Sequence, residues 1–180
     1  MDCEIAPLPR EQWEGYTFPF RYISSHYYDA EIDTADDGFS VRFIKKPFET
    51  PQKNEFDDLD KLYQSHWIGA EAYGVIIDGT LIAAIEMWKE EWSNRLRVTE
   101  LWVADDYRRR GIGGALMNLA KQKARGMGCR ALMLETQSCN ENAIAFYLAQ
   151  GLIFFGFDRC CYSNSDIEHR GVRIELGMFI

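Results

Sequence analysis

Three adjacent arginines, Arg108, Arg109 and Arg110, run straight into Gly111, Ile112, Gly113 and Gly114. Side by side the guanidinium groups repel one another, and the glycines weaken the helix that the sequence starts next. One ligand resolves both problems. The first amides of a helix have no intrahelical partner and, with the positive end of the helix dipole, they bind anions. Glycine lets a phosphate approach that backbone, and arginine adds charge and paired donors. The chemistry open to these residues is therefore to hold a pyrophosphate. Read from spacing alone, the same residues also make a solvated basic turn capped by glycines. The Walker pattern is excluded, because its Gly-Lys-Ser/Thr is absent, and "GIGGAL" does not complete the dinucleotide fingerprint.

A second segment, "LETQSCNENAIAFYLAQGL" at 134–152, carries further candidates. Taken alone, Tyr147 is a tyrosine on an apolar helical pattern, where a core aromatic is the ordinary reading. Glu135 ends the apolar run "ALMLE" and Glu100 precedes "LWV"; acids near strand ends are commonly solvated or paired. Together the two segments are more specific. R-x-x-G-x-G, read as Arg108-Arg109-Arg110-Gly111-Ile112-Gly113, follows "LWVADDY". The second segment sets Asn140, Ala143, Ile144, Phe146, Tyr147 and Gly151 in order. Both resemble signatures of the GNAT superfamily of N-acetyltransferases, over residues 70–180. Gly151-Leu152 stands where that family has Gly-Phe. Within the superfamily, "ELWVADDYRRRGIGGALM" with "LMLETQ" is most similar to the streptothricin (nourseothricin) acetyltransferases.

The resemblance implies acetyl-CoA as co-substrate and direct attack by an amine in a ternary complex, with no acyl-enzyme. Leu101, Trp102 and Val103 would hydrogen-bond the pantetheine through their backbone, and Arg108, Arg109, Arg110, Gly111, Ile112, Gly113 and Gly114 would hold the pyrophosphate. Asn140, Ala143, Phe146 and Tyr147 complete the coenzyme-binding set. Tyr147 matches the position that protonates the departing sulfur. Glu135 and Glu100 are both candidates for the base, and a water-mediated route is a third. The implied acceptor is a primary amine of a small cationic molecule, a streptothricin-type antibiotic. The alternatives are a protein N-terminus or lysine, a polyamine, or a module that binds acetyl-CoA without turnover.

These residues need a frame. "AYGVIIDGTLIAAIEMW" reads as two β runs joined by Asp78-Gly79, and "RLRVTELWV" at 95–103 as a further strand. "GGALMNLAKQKARGMG" is a helix with Leu116, Leu119, Ala120, Ala124 and Met127 on one face. "RALMLET" reads as a strand covered on both faces. "NENAIAFYLAQG" is a helix capped by Asn140 and ended by Gly151, and "LIFFGFDRCCY" and "GVRIELGMFI" close the chain as strands. Upstream, "FSVRFIKKPF" is a possible strand, Asp36-Asp37-Gly38 a turn, and "NEFDDLDKLYQSHW" a short helix with Phe56, Leu59, Leu62 and Tyr63 at helical spacing. The sum is a mixed α/β fold. By resemblance it is a mostly antiparallel, twisted GNAT sheet with splayed central strands and flanking helices, in a single domain over 1–180. Residues 1–69 form its variable part and 70–180 its coenzyme-binding core.

Composition narrows the partners. The formal net charge is −8, from 28 acids against 20 bases, which argues against nucleic acid. It fits a cationic partner, and equally an acidity that serves only to keep the protein soluble. Asp29, Glu31, Asp33, Asp36 and Asp37 cluster in the N-terminal part, and Glu86, Glu90 and Glu91 suggest an acidic approach to the core. The five cysteines are odd in number and form no C-x-x-C pair, and the three histidines are scattered; reduced thiols and no metal are expected. No apolar run reaches membrane-spanning length, and the N-terminus lacks a signal pattern, so a cytoplasmic protein with no membrane partner is expected. Monomer and homodimer both remain open.

Overall fold

The structure, a computed structural model, describes residues 4–56 and 60–180. In chain order the elements are β1 (Ala6–Pro7), α1 (Arg10–Trp13), β2 (Phe20–Ala35), β3 (Gly38–Phe56), β4 (Glu71–Ile77), β5 (Thr80–Glu90), β6 (Arg95–Val103), α2 (Ile112–Gly126), β7 (Ala131–Gln137), α3 (Glu141–Ala149), β8 (Ile153–Asp158) and β9 (Arg173–Phe179). The chain divides into two compact units. One takes Met1–Phe20, Phe56–Leu134 and Gly177–Ile180, the other Arg21–Glu55 and Glu135–Leu176. The class is the expected one: mixed α/β, with mostly antiparallel sheet and flanking helices.

In the first unit the strand order is β1-β4-β5-β6-β7. β4 and β5 are joined by Asp78 (φ 49°) and Gly79 (φ 76°), both left-handed, as the twist of a two-residue hairpin requires. Gly74 is fixed by packing instead: a Cβ there would lie 2.7 Å from the Ala83 carbonyl oxygen and from Leu81 Cδ1. β6 runs antiparallel to β5 along its whole length, from Arg95 opposite Glu90 to Val103 opposite Ala83. Its ladder with β7 is parallel and short. Arg95, Leu96 and Arg97 pair with Ala131, Leu132 and Met133, and the register goes no further. α2 packs on β5 and β6 and buries Ile112, Leu116, Met117, Ala120 and Ala124. Leu119 and Met127, expected on that face, are only half-buried. A second cluster gathers Leu8, Phe18, Leu62, Tyr63 and Trp102.

Among the described residues the helix expected over 54–67 does not form. β3 continues to Phe56, and Asp60–Trp67 is a run of turns; Leu59 lies outside the described residues. The tertiary structure overrides the local period. Tyr63 takes a left-handed conformation (φ 61°), its hydroxyl donates to the Leu8 carbonyl and accepts from the Ala72 amide, and Leu62 is fully buried.

The second unit holds the long β2–β3 hairpin, turned at Asp36–Asp37, and the strand order β7-β9-β8 with α3. β2 spans residues the sequence pattern did not mark as strand. Two of its acids, Asp29 and Glu31, are paired across the hairpin. Lys46 bonds Asp29 (2.7 Å) and Glu31 (2.9 Å), and Arg42 bonds Glu31 (3.2 Å). Phe43 packs on Phe154 and Phe157, with ring centroids 5.1 and 5.3 Å away. β8 ends at Asp158, short of the expected strand through Tyr162.

Candidate active site

In the first unit one stretch of chain carries every candidate from Glu100 to Gly114. The burial of β6 alternates: Leu96, Val98, Glu100 and Trp102 are buried, while Leu101 and Val103 are half-buried. Trp102 packs its ring 5.5 Å from Phe18, so only its backbone is available to a ligand. Glu100 is 7% exposed and stands in register opposite Glu86. After β6 the chain makes one tight turn, Asp105–Tyr107, and then the arginines. Arg108 is tied down by donation to the Val103 carbonyl (3.1 Å) and an ion pair with Asp105 (2.9 Å). Arg110 lies over the Tyr107 ring at 5.2 Å. Arg109 has φ 60°, which costs a non-glycine residue about 1–2 kcal/mol. Gly111, the N-cap of α2, has φ 85° and makes no side-chain cap. A Cβ at Gly111 would meet no protein atom within 4 Å, so conformation rather than packing demands the glycine. The first amide bonded within the helix is that of Ala115, to the Gly111 carbonyl (3.0 Å). Those of Ile112, Gly113 and Gly114 precede it, beside three exposed guanidinium groups. This arrangement can bind a polyanion.

In the second unit, α3 positions Tyr147. Asn140 Oδ1 accepts from the Ala143 amide (3.2 Å), a side-chain cap as its type and place predict. α3 buries Ile144 and Tyr147, and the Phe146 and Tyr147 rings meet edge-on at 5.4 Å. Glu135 leaves β7 toward Arg173, 3.4 Å away, and accepts from the Tyr162 hydroxyl at 3.4 Å. Arg173 also bonds Glu175 (2.9 Å) and the Cys161 sulfur (3.0 Å). Burial and the Glu135 charge push the Tyr162 phenol up, so it stays a donor. Among the described residues no group of three His, Cys, Asp or Glu could hold a metal ion. No helix among them is long and apolar enough to cross a membrane.

Residues 17–152 match the family model described as "Acetyltransferase (GNAT) family". The chain is 32% identical over 123 residues to streptothricin acetyltransferase A of Bacillus subtilis (strain 168), covering 68% of each chain. It is 31% identical over 144 residues to the streptothricin acetyltransferase of Streptomyces lavendulae, covering 77% of this chain and 75% of the relative. The chain belongs to the GNAT acetyltransferase family. Membership makes it an acetyl-CoA-dependent acetyltransferase. A solved nourseothricin acetyltransferase shares the GNAT fold over 99% of both chains, with a TM-score of 0.78 at 24% identity.

Within this GNAT frame, two groups of acids differ from the sequence reading. Glu86 is not on an approach to the core but inside it, 0% exposed. It accepts from the Tyr63 amide (2.5 Å) and the Thr99 hydroxyl (2.7 Å), and burial pushes its carboxyl up. Glu90 is buried and bonded to Arg95 (2.8 Å) and Ser93. Burial pushes its carboxyl up, but those two partners outweigh it and hold it low. Only Glu91 of that trio is exposed, and it pairs with Lys89. Asp29 and Glu31 are already neutralised across the hairpin. Sequence reading missed Tyr22, Glu141, Tyr162 and Arg173. An acid at the first position of α3 was a visible signal for Glu141; the other three had no local one.

Proposed function

We propose that this chain works as one acetyltransferase domain that N-acetylates a primary amine of a small polycationic acceptor, a streptothricin-type antibiotic. One observation carries the choice of acceptor: both curated relatives above 30% identity are streptothricin acetyltransferases, matched over two thirds or more of each chain.

In this reading the amides of Ile112, Gly113 and Gly114, with Arg108, Arg109 and Arg110, hold the pyrophosphate of acetyl-CoA. Asn140, Ala143 and Phe146 complete the coenzyme site. The pantetheine lies along the β6 edge at Leu101–Val103, and a main-chain amide there polarises the thioester carbonyl. The neutral amine attacks that carbon in a ternary complex. A C–N bond forms, the C–S bond breaks, and the amine's proton leaves through Glu100, Glu135 or a water beside one of them. Glu100 is the more deeply buried, and Glu135 lies 3.4 Å from the Arg173 guanidinium. Tyr147 gives its hydroxyl proton to the departing thiolate and regains one from solvent.

The test is thiol release by the purified enzyme with acetyl-CoA and a panel of amines. Free coenzyme A together with acetylated streptothricin is expected. Acetylation of a peptide N-terminus with streptothricin left unmodified would overturn the choice of acceptor.

A further inference from the structure

α3 carries Tyr147 but has little of its own to hold it. It is nine residues long and buries only Ile144 and Tyr147. A helix that short is marginal in water and takes its placement from tertiary contacts. Those at its start come from a strand more than a hundred residues earlier. Glu141 Oε1 accepts from the Ser25 amide (2.7 Å) and the His26 amide (3.0 Å). Its other oxygen lies 2.8 Å from Lys45 Nζ and 3.2 Å from His26 Nδ1. The Asn142 side chain donates to the Ile23 carbonyl (3.0 Å), and the Tyr28 amide donates to the Ser138 carbonyl (2.9 Å). The Tyr22 hydroxyl donates to Gln137 Oε1 (2.5 Å). Residues 22–28 of β2 are thus stitched to residues 137–142, and Glu141 takes two backbone amides and two basic side chains together. Its side chain is only 14% exposed.

We propose that Glu141 is a positioning residue for Tyr147: by clamping the start of α3 to β2 it sets where the tyrosine hydroxyl points. Tyr147 lies six residues on, about 9 Å along the helix axis, so a small tilt at Glu141 moves the hydroxyl appreciably. Misplacement of a reacting group by about 1 Å can cost up to about a hundredfold in rate. The proposal rests on the reading of Tyr147 as the acid for the thiolate.

Five proteins test it: wild type, Glu141→Ala, Glu141→Gln, Tyr147→Phe and Glu141→Ala/Tyr147→Phe. Glu141→Ala should lower the turnover number roughly tenfold or more, with a smaller loss of acetyl-CoA affinity, because Ala143 and Phe146 sit on the same helix and Asn140 caps it. Glu141→Gln keeps an oxygen for the Ser25 and His26 amides and should recover part of the loss. In the Tyr147→Phe background, removing Glu141 should cost little more, because its effect runs through the tyrosine. Equal losses in both backgrounds, or unchanged turnover in Glu141→Ala, would overturn the proposal. Hydrogen exchange at Ser25 and His26 is read in parallel: fast exchange in Glu141→Ala is expected, and unchanged protection also counts against the clamp. If Tyr147→Phe alone leaves turnover intact, the acid reading of Tyr147 fails, while exchange still decides whether the clamp exists.

Discussion

The starts of α2 and α3 follow opposite plans. α3 satisfies its own first turn: Asn140 caps the Ala143 amide, and Glu141 puts a carboxylate where the helix dipole favours one. α2 does neither. Its N-cap is a left-handed glycine without a side-chain acceptor, its first turn contains no acid, and three arginines precede it. In a chain with a net charge of −8, an acid-free, base-rich helix start is not what composition would supply. The difference separates two uses of one device. A helix end completed by its own side chains is committed to the fold, and one flanked by cations and glycine is suited to an anion brought from outside.

The largest expected effect attacks the α2 side of that contrast. Gly111→Glu places a carboxylate at the helix start and a side chain at φ 85°. Acetyl-CoA affinity should fall about a hundredfold or more by calorimetry. Undiminished affinity would mean that the α2 start is no anion site. Next comes Tyr147→Phe, which should lower the turnover number by roughly a hundredfold while acetyl-CoA still binds. A change confined to the Michaelis constant would make Tyr147 a binding residue instead.

The α3 side is sharpened by acid. Burial raises the Glu141 carboxyl, but Lys45 and the Ser25 and His26 amides outweigh it and bring it down to about 2 from 4.5. The folded value lies below the unfolded one. The stabilisation is therefore fully present above pH 4.5 and is lost as pH falls through 2, in total about 3 kcal/mol. Urea midpoints taken across that window should drop more steeply for wild type than for Glu141→Gln. Parallel curves would deny the clamp its charge. Asn140→Ala, which removes the α3 cap, should cost about 1 kcal/mol in the same assay. The smallest effect has the opposite sign. Ser24 is fully buried on β2, and its hydroxyl has no hydrogen-bond partner among the described residues. Ser24→Ala should be neutral or stabilising by up to about 1 kcal/mol, and a clear loss of stability would reveal a bond to that hydroxyl.

Local chemistry explains which parts were legible in the sequence. The Asp78-Gly79 turn, both ends of β6, the glycine entry to α2 and the Asn140 cap each depend on residues within a few positions of one another. Sequence motifs report such features directly. The clamp at Glu141 joins residues 116 apart, and nothing near Glu141 announces Ser25. β2 was hidden for a related reason. Asp29 and Glu31 are poor strand formers alone, and they sit in a strand because Lys46 and Arg42 meet them from β3. Glu86 looked like surface charge because its partners, the Tyr63 amide and Thr99, are brought to it only by folding.

The ladder between β6 and β7 closes after three residue pairs, yet β6 runs on to Val103. Past Arg97, among the described residues, one margin of β6 has no neighbouring strand in that ladder. Such a margin is a place where chains stick together. A pantetheine arm laid along it would mask it, and a ligand that binds only the folded form adds RT ln(1 + [L]/Kd) to stability. The enzyme's resistance to clumping and to proteases would then rise and fall with the supply of its own acetyl donor.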